Sequence, residues 1–136
     1  MIEPTGRPPH ILVVDDDLAT RSLTLAILSR TKNPHIAGAV LSSADSLAAA
    51  RAVLAADQID VVLLDVHLPD GIGLDLAAEL RSRSSTAAIV ALTASVLPVD
   101  QQAALDAGCD AFLAKPYAAA DLLDVVDRFI ARRPAD

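Results

Sequence analysis

The chain has 136 residues, 53% of them hydrophobic and 21% charged, with a formal net charge of -7; a chain of this length supports one compact domain with its own core. The acidic balance, with no basic stripe and interleaved aromatics, excludes a nucleic-acid surface in this segment and points to protein or cation partners. The lone cysteine, Cys109, excludes an internal disulfide, and no apolar run reaches the roughly 18 residues of a membrane span, so a cytoplasmic protein without membrane contact is expected.

Residues 1–9 carry Pro4, Pro8 and Pro9 and no apolar period, which predicts a disordered lead-in. The domain is expected over 10–131, with a short tail at 132–136. The first apolar run, "ILVV" at 11–14, predicts a strand that stops at Asp15, Asp16 and Asp17. A helix over 18–31 follows, then a strand over 36–41 ("IAGAVL") that offers only Ser42 and Ser43 at its end. After a helix over 44–56, "VVLL" at 61–64 predicts a third strand ending at Asp65, and Pro69, Asp70 and Gly71 then suit a turn. Helix 72–83 leads to strand 88–92, ending at Thr93; helix 98–107 leads to strand 111–114, ending at Lys115. In the last helix, 118–132, Leu122, Leu123, Val126, Phe129 and Ile130 recur at three- and four-residue steps and make one apolar face.

The apolar runs lack polar alternation, as strands covered on both faces require. Strict alternation of strand and helix makes the strands parallel with right-handed crossovers, hence a three-layer α/β sheet. Parallel strands end at one edge, where open α/β sheets bind ligands. Asp15, Asp16, Asp17, Asp65, Thr93 and Lys115 therefore converge from distant segments. Singly, each has a plainer use: acids at a helix start cap it, Thr93 ends a strand, and Lys115 is a solvated charge. Jointly, crowded carboxylates with few protein ligands suit Mg²⁺, held by two of the three aspartates while the third begins the helix.

In order, "VVDDD", "LLDVHLPDGIGL", "LTAS" and "FLAKPY" resemble the motifs of a response regulator receiver domain over nearly the whole chain. The resemblance implies a (βα)5 flavodoxin-like fold with strand order 2-1-3-4-5. It also implies that Asp65 is the phosphoacceptor, forming 4-aspartylphosphate, and that Asp15 and Asp16 hold the metal together with Asp65 and the backbone carbonyl of His67. Lys115 would pair with a phosphoryl oxygen, its aim fixed by a cis peptide to Pro116, and Thr93 and Phe112 would be the switch residues. The implied partners are a sensor histidine kinase or histidine phosphotransfer protein as donor and a downstream protein target, reached through helix 4, strand 5 and helix 5. Such a module is no enzyme beyond its own phosphorylation and dephosphorylation.

The chain departs from the family pattern in places. His67 replaces the more usual Met, and its imidazole is expected to be an exposed loop group; Ser95 stands two residues past Thr93. Tyr117 fills the aromatic position of the "KPF" motif. Val125 stands where receivers of winged-helix transcription factors carry an arginine, and helix 4 has no Lys or Arg, so their charged dimer is not expected. The chain looks more like receivers of hybrid histidine kinases or phosphorelays, and both a stand-alone regulator and part of a longer protein stay open. His10 and His35 are expected to be structural and Cys109 a small packed residue. The rival reading is a Mg²⁺-dependent haloacid dehalogenase-type phosphohydrolase, with Asp15 as nucleophile and Asp17 as its partner. That family's pattern, however, wants Thr where Ala19 stands.

Overall fold

The computed structural model describes residues 7–133; residues 1–6 of the expected lead-in and 134–136 of the expected tail lie outside the described residues. In chain order, counting the strands of the main sheet, the elements are β1 His10–Val14, α1 Leu18–Arg30, β2 Val40–Ala44, α2 Leu47–Ala56, β3 Val61–Asp65, α3 Gly73–Ser82, β4 Ala88–Thr93, α4 Pro98–Asp106, β5 Ala111–Ala114 and α5 Ala119–Ala131. A two-residue hairpin, His67–Leu68 with Gly71–Ile72, sits between β3 and α3. All pairings in the main sheet are parallel, in the order β2-β1-β3-β4-β5. This is the expected three-layer flavodoxin-like arrangement.

Alternation along the strands divides the core in two. Leu12, Val14, Val62, Leu64, Ile89 and Ala91 pack with Leu47, Leu76 and Ala104 of α2, α3 and α4. Ile11, Val13, Val61, Leu63, Val90 and Leu92 point the other way, onto Leu28 of α1 and Leu122, Val126 and Ile130 of α5. Both faces of β1 and β3 are fully covered, which is why their sequences show no polar alternation.

The second strand is displaced from its expected place at 36–41. Ile36 belongs to a turn, its amide and that of Ala37 both donating to the Asn33 carbonyl. Gly38 has φ +85, a conformation that breaks extended structure. Ile36 is nevertheless fully buried in the core beneath α5, so its hydrophobicity anchors a loop. The strand proper pairs His10 with Val40 and ends at Ala44, leaving Ser42 and Ser43 inside it. The helix boundaries agree with expectation to about a turn; α2 starts late because Ser46, whose hydroxyl accepts from the Ala49 amide, is its N-cap.

At the amino edge of the sheet, Asp60 ties both ends of the domain together. Its carboxylate, 8% exposed, accepts from Arg7 at 2.7 and 2.8 Å, from the His10 amide at 2.8 Å and from Arg133 at 3.3 Å. Residues 7–9 and 133, at the margins of the expected lead-in and tail, are thus fastened to the sheet. Nearby, Arg81 donates to the carbonyls of Ser85, Ala87 and Gly108 and pairs with Asp110, bracing two loops. Burial works to raise the Asp60 carboxyl, but the hydrogen bonds from Arg7 and His10 and the charge of Arg133 hold it below its usual 3.8. A carboxylate depressed in the folded state stabilises fully above its unfolded value, and that stabilisation is lost as pH falls through the folded one. Asp60→Asn should therefore cost about 2 kcal/mol at neutral pH, and urea titrations should show the gap to wild type closing only below about pH 4. A pH-independent gap would contradict the ionic role.

Candidate functional site at the carboxyl edge

The strand order places the ends of β1 and β3 side by side, so the residues that follow them must meet. Asp15, Asp16 and Asp65 each bring a carboxylate oxygen within 4.8 Å of the others. Asp15 is fully buried and Asp65 nearly so, while Asp16 is exposed. Lys115, at the end of β5, reaches across with its ammonium 2.9 Å from Asp15 Oδ2 and 3.0 Å from Asp65 Oδ2.

Local structure fixes each group. Asp15 Oδ1 accepts from the Asp17 amide, and Asp65 Oδ1 from the His67 amide at 3.1 Å, so both carboxylates are oriented by the turns that follow their strands. Asp17 itself turns away: its carboxylate accepts from the amide and hydroxyl of Thr20 and caps α1. The Lys115 amide donates to the Thr93 carbonyl, and the Lys115–Pro116 peptide is cis, as expected. Gly73, starting α3, donates to the Val66 carbonyl; a methyl group there would overlap the Asp65 carbonyl oxygen, so only glycine lets α3 start against the end of β3.

Burial pushes the Asp65 carboxyl up, against the hydrogen bonds from Lys115 and the His67 amide, while the nearby Asp15 charge adds to the rise. Burial pulls the Lys115 ammonium down, but the Asp15 and Asp65 carboxylates outweigh it and hold its pKa above the usual value. Three carboxylates against one ammonium leave an excess negative charge at the mouth of the site. Asp15 Oδ2 is buried without a hydrogen bond of good geometry, its ammonium neighbour notwithstanding. Hard oxygen donors, surplus negative charge and an under-satisfied buried oxygen fit a small divalent cation such as Mg²⁺.

Thr93 ends the strand next to β3, and Phe112 lies one strand further out, within β5. Thr93, half-buried at the end of β4, accepts through Oγ1 from the Ser95 amide at 3.0 Å. Half-buried Phe112 packs on the core under α2 and α3 and lines a depression of about 570 Å³ between α4 and α5, with Leu105, Leu113, Val125 and Arg128. The His67 imidazole is exposed, on the small hairpin.

Two supports were not legible in the sequence. Arg21 donates to the Asp15 backbone carbonyl at 2.7 Å, pinning the end of β1. Asp70, expected only to make a turn, accepts from the Leu47 and Ala48 amides and so caps α2 from a different segment; those bonds hold its carboxyl below the usual range. A capping signal is sought within three residues of a helix start, and Asp70 lies far beyond it.

Comparison with known proteins points to one family. The family model for the response regulator receiver domain matches residues 11–127. The chain is 36% identical over 129 residues to response regulator MprA of Mycolicibacterium vanbaalenii, covering 95% of this chain and 53% of that protein. It is 32% identical over 135 residues to hybrid signal transduction histidine kinase L of Dictyostelium discoideum, covering 93% of this chain and 8% of that one. Among solved structures, the receiver domain of the TMAO respiratory system response regulator TorR superposes with a TM-score of 0.81 at 30% identity, over 92% of this chain and 98% of that one. The chain spans about half the length of the regulators it matches. The haloacid dehalogenase reading fails on the same evidence, since Asp17 caps α1 instead of joining Asp15 in the site. Fold, motif order and relatives agree: the chain belongs to the response regulator receiver domain family.

Proposed function

We propose that this receiver takes a phosphoryl group from a phosphohistidine onto Asp65 and passes the change to a protein target. The observation that carries the reading is the meeting of Asp15, Asp16, Asp65 and Lys115 at one sheet edge from three separate strands. Asp65 Oδ1 is oriented by the His67 amide and Oδ2 by Lys115. An Asp65 oxygen forms the O–P bond as the donor's N–P bond breaks, and the Lys115 ammonium, already 3.0 Å away, offsets charge on the transferred oxygens. Asp15, Asp16, Asp65 and the His67 carbonyl are the ligands we assign to Mg²⁺. When bound, the cation supplies positive charge for carboxylate and phosphoryl oxygens that would otherwise repel.

A groove of about 360 Å³ beside Lys115 supports docking of a histidine-bearing helix from a kinase or phosphotransfer protein. It is lined by Ala19, Thr20, Leu23, Ile27, Pro116 and Tyr117, and Leu18 and Leu23 stand exposed at its side. For output, the Thr93 hydroxyl, which accepts from the Ser95 amide, donates its own proton to a new phosphoryl oxygen, and Phe112 repacks against the depression between α4 and α5. Val96, Leu97, Val99 and Leu105, exposed on α4 and the loop before it, supply apolar surface for a target on that side. Among the described residues no helix is long and apolar enough to cross a membrane; the proposal includes a cytoplasmic location, shared with the phosphohistidine donor.

Incubation with phosphoramidate and Mg²⁺ should add the mass of one phosphoryl group to the wild-type chain and none to Asp65→Asn. A trapped acyl phosphate mapped to Asp15 would overturn the assignment. Mg²⁺ alone should raise the melting temperature, by the equivalent of about 2.7 kcal/mol at a hundredfold excess over Kd. Exposed Asp16 is dispensable to packing, so Asp16→Asn should fold normally and lose this response; an intact response would remove Asp16 from the ligand set.

A further inference from the structure

Thr24, in the middle of α1, is only 1% exposed, and its hydroxyl lies 2.7 Å from the phenol oxygen of Tyr117. A buried hydroxyl is costly without a partner, and these two satisfy one another across 93 residues of sequence. Tyr117 stands two residues after Lys115. The family motif has a phenylalanine there, which packs equally well but cannot make this bond.

The bond holds the backbone of Lys115 from a second side. Its amide is fastened to the Thr93 carbonyl on β4 at 2.7 Å. Two residues on, the Tyr117 phenol is fastened to α1, and Pro116 between them has a fixed φ and no amide hydrogen to bond elsewhere. The same helix is tied to the acid cluster at its start, through the Asp17 cap and the Arg21 bond to the Asp15 carbonyl. A closed circuit results: Asp15, α1, Thr24, Tyr117, Lys115 and back to Asp15 at 2.9 Å.

We propose that the Thr24–Tyr117 hydroxyl pair is a positioning device that sets the Lys115 ammonium against Asp65 for phosphoryl transfer. The proposal rests on the reading of Asp65 as phosphoacceptor. Lys115 reaches the site on a flexible four-carbon stem, so a backbone anchored at both ends limits where its charge can lie when the transferred oxygens need it. Thr24 and Tyr117 both line the groove assigned above to the phosphate donor, so an occupant there presses on the element that aims the lysine.

The test is a double-mutant cycle with phosphoramidate as donor. Asp65 oxygen bonds to phosphorus as the P–N bond breaks, and its electron pair leaves with nitrogen as ammonia. Tyr117→Phe and Thr24→Val preserve packing volume. Each should lower the rate at saturating donor by about twofold to tenfold, the range of one lost hydrogen bond. The double variant should be no slower than either single, Thr24→Ser should restore the rate, and the Mg²⁺ midpoint should not move. Wild-type rates in Tyr117→Phe, additive losses, or losses that merely follow a fall in the folded fraction would each overturn the proposal. A wild-type chain that gains no phosphoryl group would instead sink the phosphoacceptor reading, and this inference with it.

Discussion

Two buried carboxylates, Asp15 and Asp65, sharing the ammonium of Lys115 is the arrangement on which the rest of the site depends. Like charges this close repel by several kcal/mol at the effective dielectric of a protein interior, on the order of 4 kcal/mol for a 4 Å separation. The sheet imposes the contact, because β1 and β3 are neighbours, β3 ends in Asp65 and Asp15 directly follows β1. Lys115 relieves part of the repulsion from β5, with β4 lying between it and β3, a span that its long side chain can cover. What remains is a net negative mouth, with exposed Asp16 at its lip, suited to attract a cation and then a phosphoryl group.

The two edges of the sheet divide the work. At the amino edge the charges are matched: Asp60 is met by Arg7, Arg133 and the His10 amide, and Arg81 by three carbonyls and Asp110. These are stabilising braces that leave little charge unanswered. At the carboxyl edge the acids exceed the cations. Concentrating electrostatic conflict where the chemistry occurs, while the core and opposite edge stay consistent, is how a stable fold carries a strained site. Cys109 belongs to the quiet part: burial, with a contribution from Asp110, pushes its thiol up to about 11, so it stays a packed, unreactive side chain.

Rigid support for the site comes from outside it. Arg21 holds the end of β1, Asp70 links the loop after β3 to the start of α2, and Gly73 lets α3 begin against the Asp65 carbonyl. The Thr24–Tyr117 bond does the same for the loop after β5. Each reacting group thus sits on a loop fastened at a second point, the preorganisation that a site reacting by placement of charge requires.

From the sequence alone, the alternation of apolar runs with amphipathic stretches determined the layers, and the charged residues just past each run determined which groups share an edge. Asp17 as a helix cap was legible for the same reason: its partner, Thr20, lies three residues away. The second strand was misplaced because Ile36 is as apolar as a strand residue, and only its burial beneath α5 shows that it anchors a turn. The cap that Asp70 gives to α2, the Arg81 brace, the meeting of Arg7 and Arg133 at Asp60 and the pairing of Thr24 with Tyr117 were decided by tertiary structure. Local patterns report a residue's preference for helix, strand or turn, whereas most of these bonds join residues 22 to 93 apart in sequence, and which polar groups meet at that range is set only when the sheet closes and the helices pack on it.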